Sequence, residues 1–326
     1  MDIFSHTLLP FLIGKSFKRK NEEVTAFILG GIAPDLDVFI MWINFVYPTF
    51  FLITHRGITH SLFFGFITAI VVLYLASRAG MRSFINRFIK FEPVITGRSA
   101  VFACVGAVLH IVLDSITTHG VPLLYPLTTA RYSAELFFYT DLLLTILSIM
   151  IIIYLYKKPQ QRNNAVKFLI IFLIIFAILG SIRIMEKNSA AYFFQDKNMK
   201  TYPTASPFNW YVMGITSEEI RIYEYNALSM SSPYNESVKR MNILRSGNDI
   251  SMALSTSEEL PQVKMFRWRA HAVAVNASFD KGTWSFEYYD PLQRTMFRDI
   301  PGFFRGTARS FGSMNVTVNG SKAIVT

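Results

Sequence analysis

Long apolar stretches are the feature that most restricts how this chain folds. A helix needs about 20 mostly apolar residues to cross a bilayer, and stretches close to that length recur along the first 186 residues. Of all residues, 52% are hydrophobic and only 17% are charged, whereas an ordinary soluble protein carries about 25% charged residues. This composition argues against a soluble globular protein and against an intrinsically disordered one. It predicts a multi-pass membrane protein.

The apolar stretches differ in how many polar residues interrupt them. One contains His110 and Asp114, another is broken by two glycines, Pro34 and two aspartates, and the short stretch at 3–17 cannot span fully. We therefore predict an α-helical polytopic membrane domain over residues 1–186, with four to five spans plus an N-terminal half-helix. The uninterrupted stretches are roughly 61–77, 137–156 and 166–185, and the interrupted ones are 99–118 and 24–46.

The basic residues predict the orientation of this domain. Sixteen Lys and Arg residues lie before residue 187, and 13 of them fall in three groups separated by pairs of crossings. Such groups mark the cytoplasmic side, so the N-terminus and everything after residue 186 should be extracytoplasmic, at a bacterial-type inner membrane. The net charge of +10 then reflects topology, and no nucleic-acid partner is expected. The groups are Lys15/Lys18/Arg19/Lys20, Arg78/Arg82/Arg87/Lys90/Arg98 and Lys157/Lys158/Arg162/Lys167.

Residues 187–326 have a different pattern. Strand-like alternation occurs at Glu219–Tyr225, Phe266–Val275 and Thr283–Tyr289, as expected for half-buried strands. Asn319-Gly320 separates two further alternating runs and indicates a two-residue hairpin turn. We predict a mostly β soluble domain outside the membrane, in which His271 has a structural role within a strand.

Scarce polar residues in the first domain fall into pairs. Five of the six histidines lie in the first 119 residues, each with another histidine or an aspartate four or five residues away. A spacing of four places two side chains on one face of a helix, and the predicted topology places all of these residues in the outer half of the membrane. The pairs and motifs are Asp2 with His6, GGIAPDLD with Asp35 and Asp37, HRGITH with His55 and His60, His110 with Asp114, and DSITTHG with His119.

The cost of burying charge favours a metal ion among these residues. One aspartate at the centre of a spanning helix costs roughly 2.5–3.5 kcal/mol, which a divalent cation would offset. Histidine and carboxylate without thiolate suit zinc, manganese or iron, and Cys104 lies alone in an apolar run. Helix capping by Asp35, Asp37 or Asp141 remains open, as do two roles for Arg56 and Arg131, which would be either interfacial anchors or binders of a substrate anion.

The same motifs carry a family resemblance. MDIFSH, GGIAPDLD, HRGITHS and HIVLDSITTHG occur in the order seen in the LexA-regulated, membrane-bound metal-dependent hydrolases, and the chain resembles that family over about residues 1–185. The family is regarded as an integral-membrane relative of the zinc-dependent phospholipase C and P1 nuclease group. The resemblance implies a helical membrane domain with a metal centre. Zinc is the expected ion, and whether the centre holds one ion or more stays open. The ligands it implies are Asp2, His6, Asp35, Asp37, His55, His60, His110, Asp114 and His119, with Asp141 as a less firm match.

Together these observations predict a membrane-embedded metal-dependent hydrolase. It would cleave an ester or phosphoester of a lipid or lipid-linked substrate at the outer leaflet, through metal-activated water. Asp35 or Asp37 would act as general base or bridge two ions, and Arg56 would hold the substrate anion. Two alternatives stay open: a divalent-metal transporter, which needs ligands through the full membrane depth, and a non-catalytic protein with a structural metal site and a binding β domain. The sequence does not indicate an oligomeric state.

Overall fold

The chain forms two compact units, seen in a computed structural model that describes residues 2–46, 54–87, 92–196, 198–298 and 312–326. Among these residues, the first unit comprises those up to 43 and those from 54 to 184. The second comprises those from 185 onward together with 44–46. Each unit is described by itself below.

Helices build the first unit. α1 begins at Ile3 because the Asp2 side chain accepts a hydrogen bond from the Ser5 backbone N–H, which satisfies one free donor of the first turn. α2 ends before Pro34, where a 3₁₀ turn over Pro34–Phe39 follows. The helices are α1 (Ile3–Ser16), α2 (Asn21–Ile32), α3 (Ile43–Val46), α4 (Leu62–Ser77), α5 (Ala79–Ile85), α6 (Gly97–Ser115), α7 (Leu142–Lys157) and α8 (Ala165–Phe194).

The predicted number of spans is corrected by these helices. In the described ranges, α6 and α8 are each long and apolar enough to cross a membrane, and α4 with α5 would make a third span if the pair, bent by 81°, is counted as one. The prediction of four to five spans is therefore not supported. The stretch 24–46 is divided at Pro34, as predicted. The stretch 137–156 is shortened because Phe137 pairs with Thr117 and the helix begins only after its cap, Asp141.

Glycines allow the closest helix contact in the first unit, between α2 and α6. A Cβ atom added at Gly30 would lie 1.8 Å from the Ala103 carbonyl oxygen. One added at Gly106 would lie 2.3 Å from the Phe27 carbonyl oxygen. Both distances are far shorter than any real Cβ contact, so only glycine permits this approach. The contact holds the end of α2, which leads to Asp35, against the helix that carries His110.

A second apolar contact region joins α1 to the later helices. Leu12 and Leu144 are completely buried there, and Phe172 of α8 packs in the same cluster. A hydrogen bond of 2.8 Å between the hydroxyls of Ser5 and Ser148 links α1 to α7 inside it. This packing places the first turn of α1, with His6, deep in the unit.

Two sheets dominate the second unit, which confirms the prediction of a mostly β domain. The first is an antiparallel meander in the order β1-β2-β3-β4, and it buries Trp210 and Tyr225. The second has the order β5-β6-β7-β8-β9, with β5 parallel to β6 and the other pairs antiparallel. The strands are β1 (Met199–Pro203), β2 (Asn209–Ile215), β3 (Glu219–Asn226), β4 (Ser231–Lys239), β5 (Met241–Arg245), β6 (Ala274–Asp280), β7 (Thr283–Tyr289), β8 (Ser313–Asn319) and β9 (Lys322–Val325).

Three helices complete the second unit and correct one strand prediction. α9 (Ile250–Glu258) and α10 (Pro261–Arg269) connect β5 to β6, and α11 (Pro291–Arg298) follows β7. The prediction of one strand over 266–275 is wrong, since its first half belongs to α10 and β6 starts only at Ala274. The hairpin predicted at Asn319-Gly320 is confirmed: Gly320 has a φ of +56° between β8 and β9, a value that glycine adopts readily.

Candidate metal centre

Four polar side chains of the first unit converge at one buried point. Their ligating atoms are the Nε2 atoms of His60 and His110 and one carboxylate oxygen each from Asp35 and Asp114, all within 4.8 Å of one another. The two Nε2 atoms are 3.2 Å apart. Asp35 Oδ1 lies 3.4 Å from each of them, and Asp114 Oδ2 lies 3.5 Å from His60 and 3.6 Å from His110. We call these four residues the inner group.

Hydrogen bonds on the far side of each ring determine what the two histidines present to this point. His110 Nδ1 lies 2.7 Å from the Gly31 carbonyl oxygen, which can only accept, so Nδ1 carries the hydrogen. His60 Nδ1 lies 3.1 Å from Thr59 Oγ1, and the Thr59 hydroxyl donates to Asp37, so this Nδ1 also donates. In the neutral rings both Nε2 atoms therefore present lone pairs. The inner group is a set of four acceptors facing one another.

The spacing of these acceptors fits a small four-coordinate cation. Zinc binds histidine nitrogen and carboxylate oxygen at about 2.0–2.2 Å in tetrahedral geometry, for which neighbouring ligand atoms are about 3.3–3.6 Å apart. The five distances within the inner group run from 3.2 to 3.6 Å. Protonating both rings would place two N–H hydrogens in the 3.2 Å gap between the Nε2 atoms, so at most one proton fits there. The residues present therefore fit a divalent ion.

Arg56 is the charged neighbour of this group. Its Nη2 donates to Asp114 Oδ1 at 3.2 Å, and its Nε lies 3.0 Å from Asp114 Oδ2 in an ion pair. Nη1 donates to Thr117 Oγ1 and the Thr118 carbonyl oxygen, and Nη2 also reaches the Tyr139 carbonyl oxygen. Both terminal nitrogens of the guanidinium thus donate within the protein, and Nε is paired with Asp114. These contacts engage the guanidinium within the protein and favour a structural role for Arg56.

Arg56 offsets part of the negative charge of the three carboxylates. The carboxylates of Asp35, Asp37 and Asp114 with the single guanidinium leave a formal charge of −2 when the imidazoles are neutral. His60, His110 and Asp114 are at most 1% exposed, and an uncompensated charge at such depth is expensive. One divalent cation would bring the site to neutrality.

A second group shares His60 with the first. It consists of Asp37, His55 and His60, and it can be interpreted as a second ion site or as support for the inner group. Asp37 accepts three hydrogen bonds, from His55 Nδ1 at 3.0 Å, the Arg56 backbone N–H at 3.2 Å and the Thr59 hydroxyl at 3.3 Å. These occupy most of the roughly four acceptor positions of a carboxylate. The contacts favour support: Asp37 fixes the loop that orients His60.

Substitution of Asp37 distinguishes these interpretations. We expect Asp37→Asn to retain one ion per chain with about 10- to 100-fold weaker affinity, the usual cost of losing a group that orients a ligand. Competition with a chromogenic chelator measures this affinity in detergent-purified protein. Loss of the ion as complete as in His110→Ala would instead show that Asp37 binds it directly.

Two predicted ligands on α1 lie outside both groups. Asp2 caps its own helix, accepting from the Ser5 backbone N–H at 2.9 Å and the Ser5 hydroxyl at 2.8 Å. His6 Nε2 lies 3.3 Å from Asp114 Oδ1, and its ring stacks on His110 with centroids 3.7 Å apart. These contacts favour His6 as a support for Asp114 and His110.

The remaining predicted site residues also have other partners. His119, which has a φ of +80°, places Nδ1 3.4 Å from the Tyr139 hydroxyl. Arg131 donates to the His119 and Gly120 carbonyl oxygens at 2.7 Å each, which fixes this turn. Asp141 caps α7 through the Leu144 N–H at 3.1 Å and lies 4.0 Å from Arg183. The structure thus shows Asp141 as a helix cap, which is one of the roles that the sequence left open for it.

Some supporting groups were not found by sequence reasoning. Thr59 and Thr117 lie within the quoted motifs HRGITH and DSITTHG, so a hydroxyl beside each ligand was a signal that could have been used. The Gly31 carbonyl oxygen, which orients His110, had none, because any residue supplies a carbonyl. In the second unit, His271 donates its backbone N–H to Asp290 at 2.7 Å and places Nδ1 3.1 Å from the same carboxylate oxygen, in keeping with the predicted structural role, although it lies outside the strands.

Comparisons with known proteins concern mainly the first unit. Residues 1–189 match the family model described as "YdjM inner membrane protein". "Inner membrane protein YbcI" of Escherichia coli (strain K12) is 28% identical to the chain over 137 residues, which are 40% of this chain and 71% of that protein. No solved structure matches the chain.

Proposed function

We propose, for a chain that belongs to the YdjM inner membrane protein family, that the first unit is a metal-dependent hydrolase of esters or phosphoesters. The observation that carries this proposal is the inner group, in which four acceptor atoms lie within 4.8 Å of one another, three of them on side chains at most 1% exposed, at distances that suit tetrahedral coordination. Asp35, His60, His110 and Asp114 would hold the ion, and Arg56 would neutralise part of their charge. A bound ion would make a coordinated water acidic enough to attack an ester at neutral pH. Kinship with the phospholipase C and P1 nuclease group remains a prediction.

A lipid or lipid-linked substrate is supported by the surface beside the inner group. The residues that follow Asp37 expose large apolar side chains: Val38 is 53% exposed, Phe39 71% and Trp42 61%. In an inner membrane protein, such side chains face lipid at low cost. An acyl chain lying there would have its headgroup near Asp35 and His55. The orientation of the site and of the second unit outside the cytoplasm follows from the basic residues and is part of the same proposal.

One observation favours a second candidate, a structural metal site without catalysis. Structural zinc sites have four protein ligands, whereas catalytic sites keep one position open, and the inner group supplies four donors. In that case function would lie elsewhere in the chain. The two candidates differ in whether small molecules can reach the ion and in whether hydrolysis depends on it.

The test of the proposal measures metal content and hydrolysis on the same protein. We expect detergent-purified full-length chain to retain about one zinc, manganese or iron ion, the ions suited to this donor set. We expect it to cleave phospholipid in mixed micelles or the soluble diester bis(p-nitrophenyl) phosphate. His110→Ala should remove the ion and reduce turnover by at least about 100-fold, while His119→Ala should retain both, because His119 lies outside the two groups.

Each outcome assigns the site. Protein without stoichiometric metal would refute the proposal. Metal-loaded protein inert on both ester classes, with unchanged stability on addition of substrate, would favour the structural candidate. Hydrolysis that persists in His110→Ala would assign the activity to other residues.

A further inference from the structure

The four side chains of the inner group, each a candidate electron-pair donor to the ion, are not all oriented by a partner outside the group. One hydrogen bond and one ion-pair contact from Arg56 fix Asp114. The Gly31 carbonyl oxygen fixes His110, and Thr59 fixes His60. Each of these three donors therefore has a partner behind it that sets its direction, the arrangement that usually accompanies a permanent ligand.

Asp35 has no such anchor in the part of the chain that the structure describes. The contacts of its carboxylate are with the two imidazole nitrogens of the group itself, His60 Nε2 and His110 Nε2, both at 3.4 Å. Its side chain is 15% exposed, whereas those of the other three donors are at most 1% exposed. Asp35 is thus the donor through which the group meets the surface.

The local backbone agrees with this difference. Asp35 lies in the 3₁₀ turn over Pro34–Phe39, whereas His110 and Asp114 lie on α6, whose surroundings are closely packed. 3₁₀ turns have poorer hydrogen-bond geometry than α-helices. Rotation of the Asp35 side chain alone would withdraw its carboxylate without moving α6 or Asp37, whose three hydrogen bonds hold the same turn.

We propose that Asp35 is a displaceable ligand that closes the site at rest and yields its position to a water molecule or a substrate phosphate oxygen. This inference rests on the proposed function and resolves its main difficulty, because four donors become three plus an open position. When water is the entering group, the displaced carboxylate would be placed to accept a proton from it, which leaves hydroxide for the attack. Asp114, His60 and His110 would hold the ion throughout.

Cobalt substitution makes the displacement visible without an activity assay, because the absorption of cobalt(II) in the visible range reports coordination number and ligands. Full-length chain and Asp35→Ala would be loaded with cobalt(II) and titrated with azide. We expect Asp35→Ala to retain one ion and to bind azide at least about tenfold more tightly, because the competing carboxylate occupies the position most of the time in the natural chain. Acetate added to Asp35→Ala replaces the missing carboxylate, and it should restore the cobalt(II) absorption spectrum of the unsubstituted chain.

Matched variants distinguish the possible failures. Asp114→Ala should lose the ion, since it removes an anchored donor. Asp35→Asn keeps the size of the side chain and tests the same point if Asp35→Ala does not fold. Loss of the ion from Asp35→Ala and Asp35→Asn as complete as from Asp114→Ala would overturn the inference, and so would an azide affinity equal to that of the natural chain. A natural chain that binds no ion at all would refute the proposed function itself.

Discussion

Replacing Asp114 with alanine is expected to abolish metal binding and to destabilise the first unit by about 3–5 kcal/mol, the usual cost of removing one partner of a buried ion pair. Both effects have one cause. The carboxylate is a candidate ligand in the inner group, and it also accepts one hydrogen bond from Arg56 and forms an ion pair with it. The Arg56 side chain is 6% exposed. The variant leaves a guanidinium buried without its carboxylate. Metal analysis and thermal unfolding in detergent measure the two losses separately.

A double variant and a matched aspartate separate charge burial from metal binding. Asp114→Ala with Arg56→Leu should recover part of the lost stability, because the guanidinium is no longer buried without its carboxylate, but it should recover no metal. Asp141→Asn changes another buried carboxylate, which lies outside both groups. Asparagine caps a helix about as well as aspartate, so the variant should lose only the contact with Arg183 and should retain the ion. Recovery of metal in the double variant would show that Asp114 does not bind it.

Replacing Gly30 with alanine is expected to prevent α2 from reaching α6. The added methyl would lie 1.8 Å from the Ala103 carbonyl oxygen, so one backbone must move by more than 1 Å. Overpacking ordinarily costs about 1–3 kcal/mol, and this case should exceed that range because the obstacle is backbone on both sides. We expect the yield of monodisperse protein in size-exclusion chromatography to fall at least tenfold, with loss of the ion from the fraction that remains.

Gly80→Ala is the matched control for this change. Gly80 is also a helical glycine, in α5, but a Cβ there meets nothing within 4 Å. Alanine should therefore be neutral or stabilise the protein by about 0.5–1 kcal/mol, since glycine is the poorer helix former. If Gly30→Ala gave as much monodisperse protein as the unsubstituted chain, that result would contradict the tight α2–α6 contact.

Much of the helical unit could be predicted because its determinants are local. The apolar stretches overlap α4, α6 and α8, and Pro34 ends the run that includes α2. The predicted number of spans was too high because local composition does not reveal tertiary pairing. The pairing of Phe137 with Thr117 removes five residues from the predicted span, and only the fold shows it.

The site could be predicted as a set of residues but not as a geometry. Spacing of four along α6 places His110 and Asp114 on one face, and that relation needs no tertiary information. Which aspartates are candidate ligands and which support the site or cap a helix depends on long-range contacts. One such contact joins Arg56 and Asp114, which are 58 residues apart. For this reason Arg56 was expected to face substrate, whereas its hydrogen bonds are used within the protein.

The glycine contact between α2 and α6 also has a consequence for ion selectivity. Moving apart two helices that touch backbone to backbone would open a void and lose their packing contacts, so spreading the site to admit a larger ion has an energetic cost. Calcium needs six to eight oxygen ligands at about 2.3–2.6 Å, and magnesium demands an octahedral shell. A frame with four donors 3.2–3.6 Å apart provides neither. The glycine contact thus helps to keep the four side chains at a spacing that suits a small four-coordinate ion better than calcium or magnesium.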